Sequence, residues 1–160
     1  MPSGELFDLL ARLGIETTTH HHPPVYTVEE AKQYRGDLPG AHVKNLFLKD
    51  KKGALFLVVA REDTPIDLKA MKEKLGSKHL SFASAELLLE LLGVEPGAVT
   101  PFGVIHDRDQ RVKVALEKRL LEESPLNFHP LDNAATTAIR AEDFLRFLHE
   151  TGHEPVLVEL

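Results

Sequence analysis

The sequence predicts one mixed α/β domain of the α+β kind, on three observations. Strand-like and helix-like segments alternate irregularly, with a hairpin among them, where a doubly wound sheet would alternate regularly. A length of 160 residues allows one sizeable core and is short for two. Apolar content of 42% with 28% charged residues is ordinary for a globular chain.

Ser3 reads as an N-cap before Leu6, Leu9, Leu10 and Leu13 at helical spacing, with Gly14 as the stop. Ile15 to His21 reads as a threonine-rich strand that Pro23-Pro24 breaks. Thr27-Val28-Glu29-Glu30 is a capping box, and its helix runs to about Arg35, before a loop from Asp37 to Gly40. Val43 to Lys49 and Ala54 to Ala60 form the clearest hairpin, with Gly53 in the turn. The second strand lacks a polar face, which predicts a central position covered on both sides. Asp67 caps a helix with Leu68, Met71 and Leu75 inward and Gly76 at its end. His79 to Ala83 is a brief strand, and Ser84 caps a helix through Leu92 that stops at Gly93.

Gly97 to Gly103 has neither helical nor strand period, and apolar Val104-Ile105 after it is strand-like. Val112 to Leu116 is a strand beyond the polar turn Asp107 to Gln110. Lys118 to Glu123 is a short helical turn. Leu126 to Pro130 and Thr136 to Ile139 are extended. A last helix from about Glu142 to Glu150 buries Phe144, Leu145 and Leu148, Gly152 ends it, and Pro155 to Val158 closes the chain as a strand. Neither an internal repeat nor a low-complexity segment interrupts the order.

The absence of cysteine excludes disulfides, thiolate nucleophiles and cysteine-ligated zinc. The N-terminus shows no signal-peptide pattern and no apolar run reaches membrane-spanning length, so a cytoplasmic protein without a membrane partner is expected. A net charge of −6 argues against strong non-specific nucleic-acid binding, though a local basic patch can still read one end of an RNA.

Four features bear on chemistry. The Gly97–Gly103 segment is either a plain turn or a loop whose N–H groups converge on an anion or oxyanion. Lys44-Asn45 interrupts an apolar strand, so Lys44 is either an edge residue or a charge held in a cleft for a phosphate or carboxylate. His129-Pro130, followed by Asn133, is an isolated polar group with no triad or paired-carboxylate signature nearby. His20-His21-His22 is not read as a metal site, because neighbours on a strand face opposite ways. Lys49, Lys51, Lys52, Lys69, Lys72, Lys74 and Lys78 are either basic patches or solvated faces.

Taken in order, a set of these motifs resembles the YbaK/ProX family of prolyl-tRNA synthetase-associated editing domains. The set comprises His22-Pro23-Pro24 into Thr27, Glu30 and Ala31; Lys44-Asn45-Leu46-Phe47-Leu48; and Leu55 to Ala60. It continues with the G-x-x-x-P loop Gly97 to Pro101, Asp107, Val112 to Leu116, and Phe128-His129-Pro130-Leu131 with Asn133. The resemblance extends from about Leu6 to Glu150 and is nearest the freestanding ProX branch. It implies a single domain with a central mixed, largely antiparallel sheet surrounded by helices. It also implies hydrolysis of the aminoacyl ester at the tRNA 3′ adenosine, without a cofactor or metal, assisted by the vicinal ribose hydroxyl.

Carried over to this sequence, the resemblance implies that Lys44 anchors the terminal phosphate or ribose end. Gly97 and Pro101 frame the carbonyl-positioning loop with Ala98, Val99 and Thr100, and His129 lines the site in a positioning role. Tyr26, Thr27, Val28, Asn45 and Phe47 then shape the substrate pocket. Ala-tRNA(Pro) is the implied substrate, with Pro-tRNA(Pro) spared by pocket size. The alternatives are a deacylase for Cys-tRNA(Pro) or a wider small-amino-acid range, and a non-catalytic module that binds tRNA or the synthetase. A ternary complex of domain, tRNA and prolyl-tRNA synthetase is the partner expectation.

Overall fold

A computed structural model describes residues 2–23, 40–132 and 134–160. The capping-box helix expected from Thr27 to about Arg35, with Tyr26, Thr27 and Val28, lies outside them, as does Asn133.

The elements are α1 (Pro2–Arg12), β1 (Thr17–His21), β2 (Ala41–Asp50), β3 (Leu55–Arg61), α2 (Leu68–Leu75), β4 (Leu80–Phe82) and α3 (Ala85–Leu92). Two 3₁₀ turns follow, Pro96–Ala98 and Pro101–His106, then β5 (Val112–Glu117) and a third turn, Lys118–Glu122. The remainder is β6 (Leu126–Phe128), β7 (Ala135–Ile139), α4 (Ala141–Glu150) and β8 (Val156–Val158).

Local chemistry sets the boundaries. The Asp67 carboxylate accepts from the Lys69 N–H to start α2, and the Ser84 hydroxyl accepts from the Leu87 N–H to start α3. Gly76 and Gly93 end these helices in the left-handed conformation that glycine adopts without a steric penalty. α1 differs from expectation: it already includes Pro2, so Ser3 falls inside the first turn instead of capping it. Proline suits that place because its missing N–H would have no partner there anyway.

The strands form one mixed sheet in the order β1-β7-β6-β2-β3-β5-β8, with β4 also paired to β2. Pairs β1/β7, β2/β3, β2/β4 and β6/β7 are antiparallel, and β2/β6, β3/β5 and β5/β8 are parallel. The predicted hairpin is β2/β3, and β3 is central. Its alternate residues divide between two cores. Leu55, Leu57 and Val59 pack with α1, α3, α4 and the Pro101–His106 turn, while Phe56 and Val58 pack with Met71 of α2, Leu48 and Val158.

The expected strand at Val104-Ile105 is instead part of the 3₁₀ turn. Pro101 takes the first position, where it needs no N–H partner, and the Thr100 hydroxyl accepts from the Phe102 N–H at 3.3 Å. Phe102 drops into the centre of the main core, edge-on to Phe128 and Phe147 with centroids 5.4 and 5.3 Å away. Gly103 fits because a side chain there would strike Leu92. On α4, Phe144, Phe147 and Leu148 are buried and Leu145 is only partly so.

Candidate active site

The site begins with an opening in the sheet. β2 pairs with β3 along one edge from Val43↔Arg61 to Lys49↔Leu55. Its other edge meets β6 only at Ala41↔Leu126 and His42↔Asn127, and β4 only from Leu48↔Phe82 to Asp50↔Leu80. Between them, Val43 to Phe47 has no strand neighbour on that edge among the described residues. The Phe47 carbonyl points into this gap, where it accepts from the Ala83 N–H at 2.9 Å. By the two-residue period of a strand, the backbone N–H and C=O of Asn45 face the same gap.

The polar residues of the sequence collect at this opening. Extending the parallel β2/β6 register puts Lys44 and His129 each two positions beyond the last pair, where the strands have parted. Val43, Phe47 and Phe128 belong to the main core, so alternation turns Lys44 to the opposite face of β2. Asn45 lies on the core side, and its Nδ2 donates to the Val99 carbonyl at 3.1 Å. That bond fastens the Gly97–Gly103 segment to β2 beside the gap. The other amide atom, Asn45 Oδ1, is buried with no hydrogen-bond partner among the described residues. A carboxamide committed on its donor side and unpaired on its acceptor side suits a ligand carrying an N–H or O–H donor.

His129 is half-buried. Its Nδ1 donates to the Ala135 carbonyl at 3.0 Å, which fixes the tautomer and leaves Nε2 as the acceptor of a neutral ring. Burial pushes its pKa below the ordinary imidazole range. The Ala135 carbonyl opposes that shift, nearby His22 adds to it, and Asp132 opposes it. The His22 ring lies 6.5 Å away, centroid to centroid. It is anchored by the Pro23 carbonyl at 2.8 Å and the Thr136 hydroxyl at 2.9 Å. Among the described residues no group of three or more potential ligands could hold a metal ion.

The loop supplies fewer donors than its composition offers. The Ala98 N–H goes to Glu95 O, the Phe102 N–H to the Thr100 hydroxyl, and the Gly103 N–H to Thr100 O. Among the described residues, the N–H groups of Gly97, Val99 and Thr100 have no hydrogen-bond acceptor, and Pro101 has no N–H. Thr100 and Pro101 are themselves buried. Phe47 is 5% exposed within the main core, so it supports the opening from below and offers little surface to a ligand. Asp107, one of the matching motif residues, anchors a turn. It accepts from the N–H groups of Arg111 and Val112 and pairs with buried His153 at 2.9 Å.

Sequence reading missed the open edge of β2, the Asn45–Val99 fastening and the His22–Thr136 support. The polar pair Lys44-Asn45 within an apolar strand was the one local signal for them.

Residues 22–147 match the model of the aminoacyl-tRNA editing domain. Prolyl-tRNA synthetase associated domain-containing protein 1 of Danio rerio is 44% identical over 156 residues, covering 96% of this chain and 85% of that one. Prolyl-tRNA editing protein ProX of Acetoanaerobium sticklandii is 41% identical over 152 residues, covering 94% and 93%. The crystal structure of a candidate trans-editing enzyme for prolyl tRNA synthetase superposes with a TM-score of 0.73 at 23% identity, covering 100% and 98%, and so shares the fold. The chain belongs to the aminoacyl-tRNA editing domain family, and by class it is an aminoacyl-tRNA deacylase.

Proposed function

We propose that this protein clears mischarged Ala-tRNA(Pro) in trans and spares Pro-tRNA(Pro). The observation that carries the reading is the unpaired, buried Oδ1 of Asn45 at the open edge of β2. An aminoacyl ester presents an α-ammonium group two bonds from the carbonyl carbon, and that donor suits the orphaned acceptor. With the ammonium there, Lys44 takes the terminal phosphate or the ribose end as a point charge. The Nε2 lone pair of neutral His129 orients a water or a ribose hydroxyl.

Hydrolysis adds water to the ester carbonyl and breaks the bond to the ribose oxygen, which leaves with a proton as the free hydroxyl. The amino acid departs as its carboxylate. No covalent enzyme intermediate is needed, so the requirement is a positioned water and donors for the developing oxyanion. Gly97 and Val99, the half-buried residues of the loop, are assigned to that task.

Discrimination by size follows from the energetics of small side chains. A synthetase pocket built for proline excludes alanine weakly, since a missing methylene is worth only about 1–3 kcal/mol. A second pocket too small for proline corrects the error. The name of the ProX relative supports a prolyl-tRNA substrate. A deacylation panel over alanyl-, cysteinyl-, seryl- and prolyl-tRNA(Pro) tests the reading. Fastest loss of alanine with prolyl-tRNA intact is expected. Equal loss of alanine and proline refutes size exclusion, and faster loss of cysteine moves the assignment to the Cys-tRNA(Pro) branch.

A further inference from the structure

We infer that the lysines gathered around Asp50 form the docking surface for the phosphates of the tRNA acceptor stem; the identity of the RNA rests on the editing function proposed above. Asp50 is buried at the end of β2. Its Oδ1 accepts from the N–H groups of Lys52 and Ala54 at 2.9 Å each, and its Oδ2 from the N–H of Lys78 at 3.2 Å. One carboxylate thereby ties the β2–β3 turn to the loop between α2 and β4. Burial raises its pKa, but the three N–H donors and the Lys52 charge outweigh that and hold it below the ordinary range.

The result is four exposed lysines on one corner, Lys49, Lys51, Lys52 and Lys78. None of the four is in an ion pair among the described residues. Five other cations are met by carboxylates, Arg61 by Glu123, Arg108 by Glu5, Lys118 by Glu159, Arg119 by Glu117 and Arg140 by Glu142, while further lysines and arginines, Lys69, Lys72 and Lys113 among them, are as open as the corner. Four exposed lysines around one buried carboxylate leave the corner net positive in a chain of net charge −6, which suits a polyanion.

Its location fits a substrate that enters the opening by its 3′ end. Lys44 and Asp50, the centre of the corner, are six residues apart on the same face of β2, about 20 Å at about 3.4 Å per residue. A single-stranded 3′ end bridges such a distance and leaves the duplex stem over the corner. Between the two lies Phe82 of β4, opposite Leu48 and 63% exposed, an aromatic face on which an unpaired base can stack. Lysine contacts to phosphate carry no sequence information, so the corner supplies affinity and register and leaves selection to the opening.

The test compares the parent with a Lys51→Gln/Lys52→Gln/Lys78→Gln variant on full-length Ala-tRNA(Pro) and on a short 3′-alanyl oligonucleotide that lacks the stem. On full-length substrate KM should rise about tenfold with kcat unchanged. The dependence of log kcat/KM on log salt should become shallower by about 2, at roughly 0.7–0.9 per lost phosphate contact. The short substrate should be cleaved equally by both proteins. An unchanged KM and salt slope on full-length tRNA overturns the docking surface, and so does an equal loss on the short substrate. Binding of uncharged tRNA, read by fluorescence anisotropy, judges the corner separately from the chemistry. A parent that binds tRNA more tightly than the variant but cleaves neither substrate upholds the corner and refutes the deacylase reading.

Discussion

Lys44 on β2 and His129, the residue after β6, each lie two residues past the last β2/β6 pair, His42 opposite Asn127. Parallel strands that part in this way leave a crevice at their C-terminal ends, the usual place for a ligand in sheets of this kind. Among the described residues, the edge of β2 beside β6 and β4 has no strand partner from Val43 to Phe47. The candidate site proposed above follows from this pairing pattern, which sets Lys44 and His129 at equivalent positions past the last pair.

Replacing Lys44 with alanine should lower kcat/KM for Ala-tRNA(Pro) about 10²–10³-fold, the usual cost of removing one preorganised electrostatic contact. Lys44→Arg keeps the charge but changes its shape and should fall between parent and alanine variant. Lys44 is only partly buried, so the thermal midpoint should move little. Single-turnover deacylation with a parallel melting curve measures both. Undiminished turnover in Lys44→Ala removes this residue from the site.

Asn45 separates binding from fastening. Asn45→Ala removes the bond to Val99 O, worth about 0.5–1.5 kcal/mol of stability. It also removes the orphaned acceptor, which should raise KM far more than that modest loss predicts. Asn45→Asp places an acceptor against the Val99 carbonyl and should be the less stable of the two. Urea denaturation with deacylation kinetics distinguishes these effects. An unchanged KM in Asn45→Ala would show that Oδ1 does not meet the substrate.

Much of this was legible locally. The β2/β3 hairpin, the Asp67 and Ser84 caps and the glycine stops of α2 and α3 were read correctly, because each depends on residues within one turn of chain. The opening was not legible, because it depends on β6 lying beside β2 for only two residues, 85 positions away in sequence. Lys44 and His129 were marked as polar interruptions, but nothing local said that they would fall at equivalent positions past one short strand pairing. The Gly97–Gly103 segment misled in a different way. Apolar Val104 and Ile105 suggested a strand, while Pro101 at a helix start and the Thr100 hydroxyl on the Phe102 N–H produced a 3₁₀ turn.

His129 should make stability depend on pH in a defined window. An unperturbed imidazole titrates near 6.5, and the native environment lowers that value. Between the native and unfolded values the unfolded chain binds more protons, so stability rises with pH there. The native state has its full advantage above about 6.5 and loses it as pH falls toward the native pKa. His129→Asn can still donate to the Ala135 carbonyl but does not titrate, so its stability should fall less between pH 7 and pH 5. Parallel urea titrations at several pH values measure the difference. Identical slopes for parent and variant would mean that His129 titrates alike in both states.

Phe102 links the core to the site. It lies in the segment fastened by Asn45, is fully buried, and packs edge-on against Phe128, Phe144 and Phe147. Phe102→Ala should cost about 3–5 kcal/mol, from lost burial and the cavity left among three aromatic rings. Phe102→Leu fills most of that space and should cost much less. Phe128 is the residue before His129, and Val99 lies three before Phe102, so loosening this ring frees both sides of the opening. Under conditions where Phe102→Leu remains fully folded, its kcat should therefore fall more than its KM changes, because the loop donors and His129 lose their mutual alignment. Calorimetry gives the stability term and single-turnover kinetics on folded protein gives the rest. A Phe102→Leu variant with parental kcat would show that the loop is positioned by Asn45 alone.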